Sequence, residues 1–233
     1  PKMEGSMGIP VQKPVMQSSP VYNGKEQVII TDYNDKYMRV DGPPTGVYVR
    51  GSDLTAINVG EYTVDFELLP GYCWSDGSNS VYSINVRIKP IIVTIVWDGD
   101  SFVYDGEEHA PTARAEGLLD GDVCAVTVSG AKVEAGTGYI ATAQALSNEN
   151  YALYDPDDEE GVDQDNPQSF LPTHKFDIVA SEITAEITTT DARYGEALKL
   201  ETEVRLSNGA VTKNHGAVTY YQVLNTGMDR EEV

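Results

Sequence analysis

Residues 155–165 read DPDDEEGVDQD and carry seven carboxylates: Asp155, Asp157, Asp158, Glu159, Glu160, Asp163 and Asp165. A Ca²⁺ ion takes about six to eight oxygen ligands, and a loop this rich in acids can supply them. Asp155, Asp157, Asp158, Glu160, Asp163 and Asp165 are the candidate ligands, which makes calcium the one cofactor the sequence suggests. The run does not fit the EF-hand loop, because Glu160 stands where that loop needs glycine. The plainer reading is a solvated loop held open by self-repulsion. A second constellation is Trp74 with Tyr72, in the glycine-bearing stretch LPGYCWSDG. An exposed aromatic face can stack on the apolar face of a sugar, so this pair is the candidate ligand-binding site; core packing is the alternative.

Catalytic patterns are poorly represented. Gly-x-Ser-x-Gly does not occur. Ser129–Lys132 (SGAK) fits Ser-x-x-Lys, but the companion motifs of that chemistry are missing. His109, His174 and His215 form no i, i+4 pair and no zinc spacing with Cys73 or Cys124; they read as surface or loop residues. Glycosidase chemistry needs two acids held roughly 5–9 Å apart across a cleft, and small sandwiches offer few deep clefts. The expectation is a chain without enzymatic activity and without catalytic residues. A Lys–Asn cross-link needs buried contacts that a sequence does not display.

The elements that must position these residues read as strands. The 233 residues suit two or three modules of roughly 80–100 residues. Tyr62, Val64, Phe66 and Leu68 alternate with Thr63, Asp65 and Glu67, the period of a strand with one wet face. Ile84, Val86 and Ile88 do the same, and Tyr139, Ala141, Ala143 and Ala145 share a face in a later strand. Asn23-Gly24, Asp76-Gly77, Asp105-Gly106, Asp120-Gly121 and Asn208-Gly209 are turn signals. No stretch sustains a helical period between two caps.

The chain repeats itself. SPVYNGKEQ at 19–27 matches SFVYDGEEH at 101–109, so Tyr22 and Tyr104 lie 82 residues apart. NVGEYTVDFEL at 58–68 matches EAGTGYIATAQAL at 134–146, LPGYCW matches NENYAL, and SINVRIKP at 83–90 matches THKFDIVA at 173–180. Between the last two landmarks the first copy has only SDGSNS at 75–80, so the acidic run is an insertion in the second. Residues 1–10 are expected to be linker, 11–90 the first module, 91–181 the second and 182–233 a partial or small third β module with an echo at Tyr194-Gly195. The joins are short, so an elongated, semi-rigid array is expected. Tyr22, Tyr62, Tyr104 and Tyr139 recur at matching places and are expected in cores.

A net charge of −21 repels phosphate backbones and anionic membrane surfaces, so neither nucleic acid nor a membrane is an expected partner. No apolar run approaches the roughly 18–20 residues of a membrane span. Cys73 and Cys124 fall in different modules and are expected to be free thiols. The chain begins at Pro1 without a visible signal peptide and is expected to be one copy within a longer parent protein.

VYNGKEQ with GEYTVDFEL and GYCWSDG, and VYDGEEH with AGTGYIATAQAL and NENYAL, resemble the MBG/YDG-type modules, a bacterial immunoglobulin-like group. The resemblance covers roughly residues 15–180. It implies an all-β fold of tandem immunoglobulin-like sandwiches, an extracellular place in a secreted or cell-wall protein, and no catalysis. Some relatives are described as mucin-binding, with no residues that carry over. The nearest string to a sorting signal, Leu171-Pro172-Thr173-His174, is internal and lacks the glycine. Three roles follow as expectations: a spacer or stalk, an adhesion module for a host glycoprotein or polysaccharide, and an accessory domain of a secreted carbohydrate-active enzyme.

Overall fold

The computed structural model describes residues 8–17, 19–155, 170–189, 200–213, 215–219, 221–223 and 230–232. Among them there is no helix, and the chain is all-β. The strands form two compact units. The first takes 1–96, 113–127 and 143–172; the second takes 97–112, 128–142 and 173–233.

In the first unit, β1 (Ile9–Val11) pairs in parallel with β8 (Tyr72–Trp74). β2 (Val15–Met16), β3 (Gln27–Thr31), β6 (Asp53–Ala56) and β5 (Val47–Arg50) form one antiparallel sheet in that order. β4 (Met38–Val40), β7 (Gly60–Leu68) and β9 (Tyr82–Ile88) form another. β10 (Ile91–Ile92) runs parallel to β16 (Tyr151–Ala152). Both larger sheets turn their apolar rows inward, so Ile29, Ile30, Leu54, Val64, Phe66 and Ile88 meet in one sandwich-like core. The alternation read from the sequence is what the structure uses: Tyr62, Val64, Phe66, Ile84, Val86 and Ile88 are all buried.

In the second unit, β12 (Ser101–Val103), β17 (Thr173–Val179), β15 (Gly136–Leu146) and β14 (Val126–Ser129) lie in that order. Ala141, Phe176 and Ile178 are its buried centre, with Trp97, Phe102, Tyr104, Val128 and Tyr139 packed around them. β11 (Thr94–Asp98) pairs with β13 (Thr112–Glu116). β18 (Ile183–Thr189) pairs antiparallel with β19 (Leu200–Leu206), and β20 (Tyr221–Val223) with β21 (Arg230–Glu232).

Two sequence expectations shift here. Ile9 and Pro10, read as linker, belong to β1, and Gly8 is so tightly set that a Cβ there would lie 2.7 Å from the Tyr72 carbonyl carbon. Ala145 does not share the inward face of Ala141 and Ala143; the alternation breaks, Ala145 is exposed and Leu146 packs on the core instead.

The 82-residue step between Tyr22 and Tyr104 reappears in the backbone. Ile9 N–H donates to Gly71 C=O at 2.8 Å, and 82 residues on, Ile91 N–H donates to Asn150 C=O at 3.1 Å. Tyr22 N–H donates to Lys89 C=O at 2.8 Å, and Tyr104 N–H to Val179 C=O at 2.9 Å. The Asn23 and Asp105 side chains each accept the amide two residues on, at 2.9 Å, and close matching turns over Gly24 and Gly106.

Candidate functional site

Each repeat carries the same tyrosine bracket. Tyr62 Oη donates to the Asn58 carbonyl at 2.7 Å, and Tyr139 Oη to the Glu134 carbonyl at 3.1 Å. A tyrosine whose hydroxyl bonds back to the chain a few residues upstream is a known fixture of immunoglobulin-like sandwiches. Here the ring folds over a glycine. A Cβ on Gly60 would lie 3.2 Å from Tyr62 Cζ, and one on Gly136 only 2.4 Å from Tyr139 Oη. The spacing differs by one residue because β15 holds a bulge. Gly60 and Tyr62 face Ile88 and Val86, whereas Gly136 and Tyr139 face Ile178 and Phe176, with one extra residue between.

The aromatic pair proposed for sugar stacking is placed differently from the expectation. Trp74 is 0% exposed. Its Nε1 donates to the Ser80 carbonyl at 2.8 Å, and Tyr82 meets the ring edge-on at 5.8 Å. No face is left for a ligand, so Trp74 is a core residue. The reason is a distant strand: β8 pairs with β1 and carries the Trp74 side chain into the sandwich, although the flanking Gly, Ser and Asp read as an exposed loop. Tyr72 is half-buried and packs on Tyr37, ring centroids 5.2 Å apart. Tyr37 in turn lines a cavity of about 360 Å³ with Ile9, Gln12, Asp32 and Asn34.

Of the acidic run only Asp155 is described; Asp157, Asp158, Glu160, Asp163 and Asp165 lie outside the described residues. Among the described residues no three His, Cys, Asp or Glu side chains converge as a metal site. Cys73 and Cys124 are both buried and free, and Cys73 Sγ donates to the Gly8 carbonyl at 3.0 Å.

Sequence reasoning read the histidines as surface residues, but two are bracketed. His109 stacks on Phe102 at 5.0 Å and bonds Asp105 at 2.8 Å; His174 stacks on Trp97 at 5.4 Å and bonds Asp100 at 2.8 Å. Asp105 is held below the usual carboxylate range, first by the Glu107 amide and then by His109. The alternation of β17 was the available signal, since His174 shares a face with Phe176 and Ile178.

One polar cluster joins the two repeats, and it lies wholly within the first unit. Asp122 Oδ2 accepts from Tyr22 Oη at 3.1 Å and from Tyr151 Oη at 2.6 Å. Tyr151 Oη also accepts the Leu119 amide at 3.0 Å. The two rings meet edge-on at 5.9 Å and both are buried. Burial, then the Asp122 hydrogen bond, raise both hydroxyls above their ordinary 10.0. A few residues away, Asn150 Oδ1 accepts the Val59 amide at 2.8 Å and Asn150 Nδ2 donates to Asn58 Oδ1 at 3.3 Å. The turn of the first repeat that anchors Tyr62 is therefore capped by the second repeat. Leu119 sits against Gly24, where a Cβ would come within 3.3 Å of its Cδ1. These groups position backbone and exclude water; nucleophile, base and oxyanion donors do not converge among them.

Comparison with family models, with curated proteins and with solved structures finds no match to this chain.

Proposed function

We propose that the chain is a non-enzymatic array of tandem immunoglobulin-like modules in a bacterial secreted or cell-surface protein, where it serves as a spacer or stalk. The observation that carries this reading is the direct succession of two matching backbone frames. β9 ends at Ile88 and β10 begins at Ile91, so no linker separates them. A spacer needs repetition, stiff joins and soluble faces. The recurring tyrosine bracket supports the first, the Asn58–Asn150 and Tyr22–Asp122 bonds the second, and the net charge of −21 the third. The bacterial surface setting rests on the resemblance of VYNGKEQ and VYDGEEH to MBG/YDG-type repeats. The buried Trp74 removes the main support for the adhesion reading.

Small-angle scattering of the purified chain tests the array. The proposal expects an elongated profile, with a maximum dimension well beyond that of a compact globule of 233 residues. A profile matching one compact globule would overturn it.

A further inference from the structure

We infer that Asp122, held between the hydroxyls of Tyr22 and Tyr151, is a latch that makes the first repeat and the head of the second open as one unit. It goes beyond the spacer reading and stands or falls apart from it.

Tyr22 and Tyr151 come from the two repeats, and Asp122 from the second. One carboxylate oxygen takes both hydroxyls, 100 residues from one and 29 from the other. Both donor tyrosines leave less than a tenth of their surface exposed, while Asp122 is half-buried. Charge-assisted hydrogen bonds are stronger than neutral ones, and they strengthen where water is scarce. If the repeats part, the buried Tyr22 hydroxyl and Asp122 lose each other, while the Tyr151–Asp122 bond, made within the second repeat, keeps the carboxylate in place; the cost of the unmet pair falls on that event. The second contact has the same consequence. Releasing Asn150 from Asn58 and Val59 frees the turn to which Tyr62 is anchored, so the joint and the bracket loosen together.

Position within the repeat adds a reason. Tyr22 opens the Tyr-Asn-Gly turn, and Tyr151 pairs with Ile91, the residue that starts the second repeat. The latch thus ties the turn of one frame to the first strand pair of the next. Asp122 and Tyr151 lie in the segments Ala113–Thr127 and Ala143–Pro172, which group with the first repeat.

The experiment is a double-mutant cycle on the full chain, read by urea unfolding and by amide hydrogen exchange. Tyr22→Phe in the wild-type background is expected to lower the folding equilibrium constant of this unit by about tenfold. In an Asp122→Ala background the same change is expected to cost less than about twofold, because the acceptor is already gone. In the wild type, the Lys89 and Val93 amides, one from each repeat, are expected to exchange through one opening with equal protection. In Asp122→Ala their protection separates. Should Asp122→Ala fail to fold, Asp122→Asn serves in the cycle: its amide oxygen still accepts but without the charge, so Tyr22→Phe is then expected to cost less than in the wild type. Equal effects of Tyr22→Phe in both backgrounds, or unequal protection of Lys89 and Val93 in the wild type, overturn the latch.

Discussion

The ring of Tyr62 lies over Gly60, and the ring of Tyr139 over Gly136, so each repeat begins a long central strand by folding a tyrosine onto its own glycine. A side chain at either glycine must push the ring away and pull its hydroxyl from Asn58 or Glu134. Gly136→Ala is expected to destabilise the second unit by about 1–3 kcal/mol, the range for forcing atoms into a filled place. Gly60→Ala, with a 3.2 Å approach against 2.4 Å at Gly136, is expected to cost less. Urea midpoints of the two variants check the order.

Removing the hydroxyls separates the hydrogen bond from the packing. Tyr62→Phe keeps the ring over Gly60 and leaves the Asn58 carbonyl without its donor. The expected loss is about 1 kcal/mol. Tyr139→Phe is expected to lose less, because Tyr139 is half-buried where Tyr62 is buried, so water can reach the Glu134 carbonyl. Thermal unfolding of both variants measures the difference.

Alkaline pH tests the environment of the joint. Tyr22 and Tyr151 hold their protons above the ordinary value of 10.0, because burial and then the Asp122 hydrogen bond disfavour the phenolate. Above about pH 10 the unfolded tyrosines ionise while these two remain neutral. The native state then binds more protons than the unfolded one, so stability falls with rising pH. This contribution is complete below about pH 10 and gone once the pH passes the native values. Urea midpoints from about pH 8 to 11.5 are expected to fall less steeply for a Tyr22→Phe, Tyr151→Phe variant than for the wild type. Tyr33 and Tyr62, also raised mainly by burial, leave a residual slope in both.

Trp74 is a core residue in this account, and its fluorescence reports it. Trp74 is fully buried, whereas Trp97 is half-buried and stacked on His174. Acrylamide is expected to quench Trp97 and to leave Trp74 nearly untouched until the chain unfolds. Trp74→Ala is expected to cost about 3–5 kcal/mol, the range for emptying a large aromatic site.

The framework was legible where chemistry and period coincide. The Asn23-Gly24 and Asp105-Gly106 turns carry their own geometry, and the alternation of Tyr62–Leu68 names its buried face, so both emerge as expected. The step from Tyr22 to Tyr104 fixes the frame to the residue, since Ile9 and Ile91 repeat it. Trp74 misled because its neighbours are turn residues, while its fate is set by pairing with a strand more than 60 residues away. Asp122 was invisible for a similar reason: in a chain with 37 acids, only three-dimensional proximity to Tyr22 and Tyr151 distinguishes it. Ile9 and Pro10 were read as linker because a three-residue edge strand has too few positions to show a period.

The most direct test of the spacer reading is binding of the purified chain to a panel of mucins and polysaccharides, with and without Ca²⁺. The account predicts no saturable binding in either condition, and no change on Tyr72→Ala. Saturable binding would contradict it: loss on Tyr72→Ala or Tyr37→Ala would place a glycan site at the cavity beside Asp32 and Asn34, and loss on chelation would turn attention to the acidic run from Asp155 to Asp165.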